Sequence, residues 1–509
     1  MDVKQYRTQK GTKNVTTFYS KDFNWKVIVP TMVYNYLKEQ VENIPPFKEF
    51  KLDIALYYLS LIMGIPATHK DKIYKWGFVN LDSRLLQKKY YRYNKYFDYF
   101  LKINLLESKE YSTNAHRSKS YRYNFSKINS DGKEYLDFDV FEIVDKKFNE
   151  KILNENICND SFISCQHLCK WFNDKLQLDF NGLIKNLQLK FSFNKYDLNY
   201  ERVNPIIAKA YNYWYSALTL RDQCFRATRK PDSDNRLHTN LTNMPSIFRP
   251  FMTYDYENIV SLDISNSQPY FMVLLIERYN DNRIYEIIRK LYGDRIGIML
   301  EVLENITDSE GFRKEFYEVK NSILSGRFYE YLGDVFEHIN PYDITYDISG
   351  KKVEWYKGNF YNSDIQKHET LKFKGKRELM KKLTLQILYT PLTRPSKEYL
   401  FFKQKFPLLC ETIEVFKKQF PDKSSYKQFP KLLQHIEADC ILNVVSKQLS
   451  IRYPEMPLWT IHDSICTSIK HFDVMQRTVK DLFLDYSEGL TPCFKVECWT
   501  KENNCLKVA

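Results

Sequence analysis

The sequence reads as an α+β chain, and three stretches carry that reading. Residues 460–469, "TIHDSICTSI", alternate β-branched residues on either side of His462-Asp463-Ser464, the pattern of two strands around a tip. Residues 259–264 gather Ile259, Val260, Leu262 and Ile264 into a short buried strand, and the apolar run after Pro269, "YFMVLLIE", follows as a helix. Between residues 85 and 101, Leu85, Leu86, Tyr90, Tyr93, Phe97, Phe100 and Leu101 recur at helical spacing.

At 509 residues the chain exceeds one core, so several domains are expected. A hydrophobic fraction of 43% beside 27% charged residues describes a folded, soluble protein and excludes a disordered one. The net charge of +13 suits a polyanionic partner without proving one. The N-terminal stretch "MDVKQYRTQKGTKN" has no apolar core of signal-peptide length, and no apolar run is long enough to span a membrane. A cytoplasmic location without membrane contact is therefore expected. The ten cysteines are scattered, as in a reducing compartment. Cys158, Cys165, His167 and Cys169 cluster without the spacing of a zinc knuckle, so buried thiols are expected there.

Taken in order, residues 51–66 ("KLDIALYYLSLIMGIP") predict a core helix ended by Gly64 and Pro66. Residues 81–125 predict helices, then two short strands around a polar basic tip at 112–120. Residues 81–123 carry ten Lys or Arg against four Asp or Glu. The arrangement resembles a winged helix, and its basic face reads equally as a DNA contact or as a solvated surface. In "DFDVFEIV", Asp137, Asp139 and Glu142 read as solvated acids on one strand rather than a nuclease centre.

The chemistry lies in three later pieces. Asp263 ends a buried strand before a helix, a common place for a metal ligand or a capping acid. Asp463 sits at a hairpin tip, where turn formation alone could explain it. If both lie on one sheet, they can share divalent ions that activate a hydroxyl and stabilise leaving pyrophosphate. In "GKRELMKKLTLQILYTP", Arg377, Lys381, Leu385 and Tyr389 are four apart and form one helical stripe, basic at its start and aromatic at its end. Alone, that stripe reads as a solvated helix face.

Together these pieces resemble the family A nucleic-acid polymerases, the bacterial polymerase I type and its single-subunit phage RNA polymerase relatives. Asp263-Ile264-Ser265 is similar to that family's first palm motif, and Arg377-x3-Lys381-x7-Tyr389 to its fingers-helix motif. His462-Asp463-Ser464 resembles its third motif. Arg236-Leu237-His238-Thr239…Asn243-Met244-Pro245 and Gln434-x3-Ala438-Asp439-x-Ile441 resemble the segments preceding the first and third motifs. The likeness covers about residues 230–500 and leaves the first 200 uncovered.

The resemblance implies a right-hand polymerase, with an antiparallel palm sheet and helical fingers and thumb, behind a winged-helix-like domain. The expected boundaries are 1–130 for the basic N-terminal domain, 131–230 for a connector and thumb-like region, and 231–509 for palm and fingers. It implies two Mg²⁺ ions, with Mn²⁺ as a substitute, held by Asp263, Asp463 and the Ile264 carbonyl. Arg377 and Lys381 would hold the incoming phosphates, with Lys381 also donating a proton to pyrophosphate. Leu385, Tyr389 and Gln268 would shape the nucleotide pocket, and Arg236, Gln434 and His462 would meet primer or template. The implied partners are a DNA primer-template and dNTPs; no protein partner is indicated.

Gln268 stands where the DNA enzymes of that family carry Glu and the RNA enzymes Gly. Leu385 replaces an aromatic residue, Thr390 a Gly, and Ser464 leans toward the RNA enzymes. DNA synthesis without proofreading, serving a phage or mobile element, is the favoured expectation. A single-subunit RNA polymerase, a non-catalytic DNA-binding replication protein and a template-independent tailing enzyme are its rivals.

Overall fold

The computed structural model describes residues 24–68, 77–110, 118–128, 138–155, 164–191, 200–347, 349–362, 367–419 and 425–501, with the strand pieces 5–6, 15–16 and 73–74. The chain forms two compact units. One comprises Met1–Phe162, Asn173–Ala227 and Thr239–Met252, and the other Ile163–Phe172, Thr228–His238 and Thr253–Ala509. The expected 131–230 connector thus falls mostly within the first unit.

In the first unit, strand β1 (Lys26–Pro30) leads into helix α1 (Thr31–Asn43), followed by α2 (Leu52–Thr68). α2 buries Ile54, Ala55, Leu56, Tyr58, Leu59 and Ile62, as an almost wholly apolar helix must. It does not stop at Gly64 and Pro66 as the sequence predicts, but runs to Thr68. Gly64 is a packing residue instead. A Cβ there would lie 3.4 Å from the Tyr211 hydroxyl.

The basic stretch folds as β2 (Phe78–Asn80), α3 (Ser83–Lys89), α4 (Tyr93–Lys102), β3 (Leu106–Lys109) and β4 (Ser120–Tyr123). β3 and β4 form the expected antiparallel pair, with Leu106 opposite Tyr123, and β2 pairs with β4. Residues 111–117 of the tip lie outside the described residues. Leu86, Phe97 and Phe100 enter the core, whereas Leu85 faces solvent.

β5 (Phe138–Glu142) pairs antiparallel with β1, Glu142 opposite Lys26. Glu142 meets the Lys26 ammonium at 3.7 Å and accepts from Asn24 at 3.3 Å. Asp139 is half-buried on the same strand, and Asp137 lies outside the described residues. The same unit holds α5 (Tyr200–Arg221), which ends on a basic residue. There, cations cover rings within the unit: Arg226 lies 4.3 Å over Trp25 and Arg221 4.5 Å over Phe180.

The second unit is built on a curled antiparallel sheet. Its central strand is β6 (Glu257–Ile264), and α6 (Ser267–Arg278) follows at once. Later elements are α7 (Phe328–Val335), a separate antiparallel sheet of β7 (Asp343–Tyr346), β8 (Lys352–Asn362) and β9 (Lys367–Lys374), then α8 (Lys376–Tyr389), α9 (Pro407–Lys418) and α10 (Gln428–Ala438). The hairpin β10 (Trp459–Ile461) and β11 (Ser464–Ser468), the last strand β12 (Phe494–Cys498) and the short strand Met252–Tyr254 join β6 in the central sheet. β6 lies between β11 and β12, paired along both edges, and its apolar side chains are buried on both faces of the sheet. These are Ile259, Val260, Leu262 and Ile264, each at most 3% exposed.

Candidate active site

Asp263 stands one residue before the end of β6. The β6–β11 register sets it opposite Ser464, and the β6–β12 register sets it opposite Lys495. Asp463 precedes Ser464 in the two-residue turn joining β10 to β11, and its carbonyl accepts from the Ile264 N–H at 3.4 Å. The two acids, far apart in sequence, thus sit at neighbouring positions of one sheet. The Ser464 hydroxyl donates to Asp263 Oδ1.

Burial, then the facing Asp263 charge and that of Glu437, push the Asp463 carboxyl well above the usual carboxylate range. No ion pair reaches either aspartate among the described residues. Two carboxylates and a hydroxyl make an all-oxygen donor set, which suits Mg²⁺ or Mn²⁺ better than a soft metal. Among the described residues no group of three or more His, Cys, Asp or Glu side chains could hold a metal ion, so a cation here would draw further ligands from backbone, water or substrate.

The turn that carries Asp463 is strained. His462 has φ 55, in the left-handed region where a non-glycine residue is costly. Its ring meets that of His238 edge-on at 6.1 Å, and its Nδ1 is buried without a partner among the described residues. Burial, with Arg236 and His238 nearby, pushes His462 down to about 4, so it is neutral at pH 7. His238 in turn contacts Asp234 at 2.8 Å.

Beside the aspartates lies a fully buried carboxylate that the sequence reading passed over. Glu437, on α10, accepts from Arg236 Nε and Nη2 at 2.7 Å each. Its Oε2 also accepts from the Ser267 hydroxyl at 3.1 Å and the Gln268 amide at 2.9 Å. Arg236 was expected to meet primer or template, but its guanidinium is forked onto Glu437, with Nη1 left without a partner among the described residues. Gln268 keeps its amide nitrogen on Glu437 while its Oε1 is buried without a partner among the described residues. Asn266, also unforeseen, has φ 56 and both amide atoms buried and unpaired among the described residues. Strain together with unmet polar groups marks functional positions.

The predicted stripe is present on α8. Leu379, Met380, Leu383, Ile387 and Leu388 face the core, while Arg377, Lys381 and Leu385 are exposed and Tyr389 is half-buried. Arg377 is ion-paired to Glu330 at 2.8 Å and lies 5.2 Å over the Tyr329 ring. Burial pushes Tyr329 up to about 12, with Arg377 opposing and both aspartates adding to the rise, so Tyr329 feels the start of α8 and the acidic pair alike. The Tyr389 hydroxyl accepts from Gln434 of α10 at 3.3 Å. Behind the helix, the buried Lys417 ammonium donates to the Thr390 carbonyl at 3.1 Å and the Ile387 carbonyl at 3.5 Å, capping the negative end of α8.

Gly326 (φ 75) leads into α7. A Cβ there would fall 2.9 Å from Cys493 Sγ and 3.6 Å from Ser265, so only glycine lets this loop lie against the strand end that bears Asp263. Of the thiol cluster, Cys165 and Cys169 are buried, His167 pairs with the Ser446 hydroxyl at 3.0 Å, and Cys158 lies outside the described residues.

No protein-family model matches the chain, and no curated protein does. Among solved structures, the POL domain of Pol1 from M. smegmatis, in complex with DNA primer-template and dNTP, overlays with a TM-score of 0.39 at 10% identity. That overlay covers 69% of this chain and 73% of the other. An overlay this loose leaves the functional reading resting on the residues themselves.

Proposed function

We propose that this chain is a template-directed DNA polymerase, extending a primer 3′-end with dNTPs by nucleotidyl transfer at Asp263 and Asp463. One observation carries the reading: two aspartates from distant parts of the sequence lie side by side at the end of a sheet, with no ion pair to either of them among the described residues. Asp263, Asp463 and the Ile264 backbone would hold Mg²⁺ or Mn²⁺. When bound, such ions activate the primer hydroxyl and stabilise leaving pyrophosphate.

The protein's own groups do the rest. Arg377 exchanges Glu330 for the incoming triphosphate, and Lys381, one turn further, contacts the same phosphates and donates a proton to the leaving group. Leu385 and Tyr389 form the wall of the nucleotide pocket. Gln268, its amide nitrogen held by Glu437, presents Oε1 toward the sugar. Arg236 Nη1, Gln434 and neutral His462 steady the primer terminus. The absence of charge on Gln268 favours incomplete rejection of ribonucleotides.

The test is primer extension with Mg²⁺, using dNTPs or rNTPs, with and without template. Wild-type protein should extend a templated primer with dNTPs. Asp463→Asn should lose about 10³-fold in rate, the equivalent of roughly 4 kcal/mol of transition-state stabilisation. Equal rates in the two proteins would remove the reading. A preference for rNTPs would move it to the RNA enzyme, and extension without template to a tailing enzyme.

A further inference from the structure

The small sheet β7–β8–β9 stands apart from the acidic pair, and no role has been given to it. Its inner face packs on α8. Tyr356 and Phe360 are buried, a Cβ on Gly358 would meet Leu379 at 3.0 Å, and Phe360 contacts Phe373 at 5.6 Å. Its outer face is different. The register sets Lys357 directly opposite Lys372, Asn359 opposite Thr370, and Trp355 between Asp343 and Lys374. Residues opposed in an antiparallel pair share a face, so Lys357, Lys372 and Lys374 stand together, all exposed.

Like charges directly across a strand pair destabilise it. No ion pair neutralises these three lysines among the described residues. Asp343 shares their face, and Asp347, at the end of β7, acts on Lys374 from a distance. The Tyr342 ring, 39% exposed, lies 3.9 Å below Lys357 and 6.0 Å from Lys372, and Trp355 is only half-buried. A flat sheet face that carries unneutralised lysines among aromatic rings suits a flexible polyanion with flat bases.

We infer that the outer face of this sheet binds single-stranded nucleic acid, with its phosphates on Lys357, Lys372 and Lys374. The inference rests on the polymerase reading for its context, since β9 runs through Gly375 into α8, the helix that carries Arg377 and Lys381. The bound strand is the unpaired template ahead of the primer terminus.

The test is fluorescence anisotropy of the full chain with a labelled oligothymidylate and with a matched duplex, over a series of salt concentrations. The comparison is wild type against the triple variant K357Q/K372Q/K374Q, which keeps polar side chains and removes the opposed charges. The single-strand salt slope should fall by about 2, from roughly 0.7 per neutralised phosphate, while the duplex slope moves much less. Thermal melting should show a variant at least as stable as the wild type. Extension of a primer with a one-nucleotide template overhang should be unchanged.

An unchanged single-strand slope overturns the inference, as does an equal change on duplex or a wild type that binds no single strand. Extension of the short-overhang primer reports on Asp263 and Asp463 separately, so those outcomes remain distinguishable from failure of the polymerase reading.

Discussion

Two carboxylates in the same unit, Glu437 and Asp463, have opposite fates. Glu437 has no exposed surface and is saturated: it accepts from the Nε–Nη2 edge of the Arg236 guanidinium, from Ser267 and from Gln268. Burial opposes the charge on Arg236, but Glu437, joined by Asp463 and Asp234, outweighs it and raises the Arg236 pKa. Asp463 feels the facing Asp263 and Glu437, is offset in part by the Arg236 charge, and has no ion pair among the described residues. A fold gains nothing by crowding two acids. The lesson is that a satisfied buried charge is architecture, and an unsatisfied one is a site awaiting a ligand. The acids of β5 mark the other limit, exposed or half-buried, with Glu142 held by Lys26.

That contrast can be broken at several points. The largest structural effect should come from Glu437→Gln, which leaves Arg236 charged and unpaired. Urea unfolding should show a loss of about 3 kcal/mol, and a loss under about 0.5 kcal/mol would mean that the hub is not structural.

Lys417 tests a third kind of buried charge, one satisfied only by carbonyls. Burial pushes it down to about 8, whereas in the unfolded chain it titrates near 10.5. Above pH 8 the folded state sheds this proton before the unfolded chain does. The penalty for burying the cation therefore applies fully below pH 8 and is relieved as pH climbs toward 10.5. Between pH 7.5 and 9.5 the wild type should gain about 2 kcal/mol relative to Lys417→Met, read by denaturant unfolding at each pH. A constant difference would show that the lysine keeps its proton in the folded chain over this range, its pKa unshifted from the unfolded one.

A smaller effect is expected at Asp463. In metal-free buffer Asp463→Asn removes a repelled charge, so its melting temperature should equal or exceed that of the wild type by a few degrees, about 1 kcal/mol. A clear drop would make Asp463 a structural residue. Smallest of all, Asp139→Asn on β5 should change neither stability, by more than about 0.5 kcal/mol, nor extension rate.

Much of this site was legible because short-range patterns encode it. The alternation around residues 460–469 gave the hairpin, the apolar run at 259–264 gave the central strand, and four-residue spacing gave the exposed stripe of α8. Pairing across the chain was not legible. Arg236 reads as a free cation until Glu437 is placed beside it, although a glutamate between Ile436 and Ala438 on an apolar helix was a signal that a buried partner existed. The β7–β8–β9 sheet went unread because its outer face is polar and its strands pair only with one another. Gly64 and Pro66 read as a helix stop by local propensity, but packing against Tyr211 overrides it.

The central claim is that Asp263 and Asp463 jointly hold the divalent ions of the reaction. Its most direct test is Mn²⁺ binding, followed by electron paramagnetic resonance, to complexes with a dideoxy-terminated primer-template and dNTP. The wild type should bind Mn²⁺ in that complex, and Asp263→Asn and Asp463→Asn should each lose most of the bound signal while still binding DNA. Unchanged Mn²⁺ binding in both variants would contradict the account.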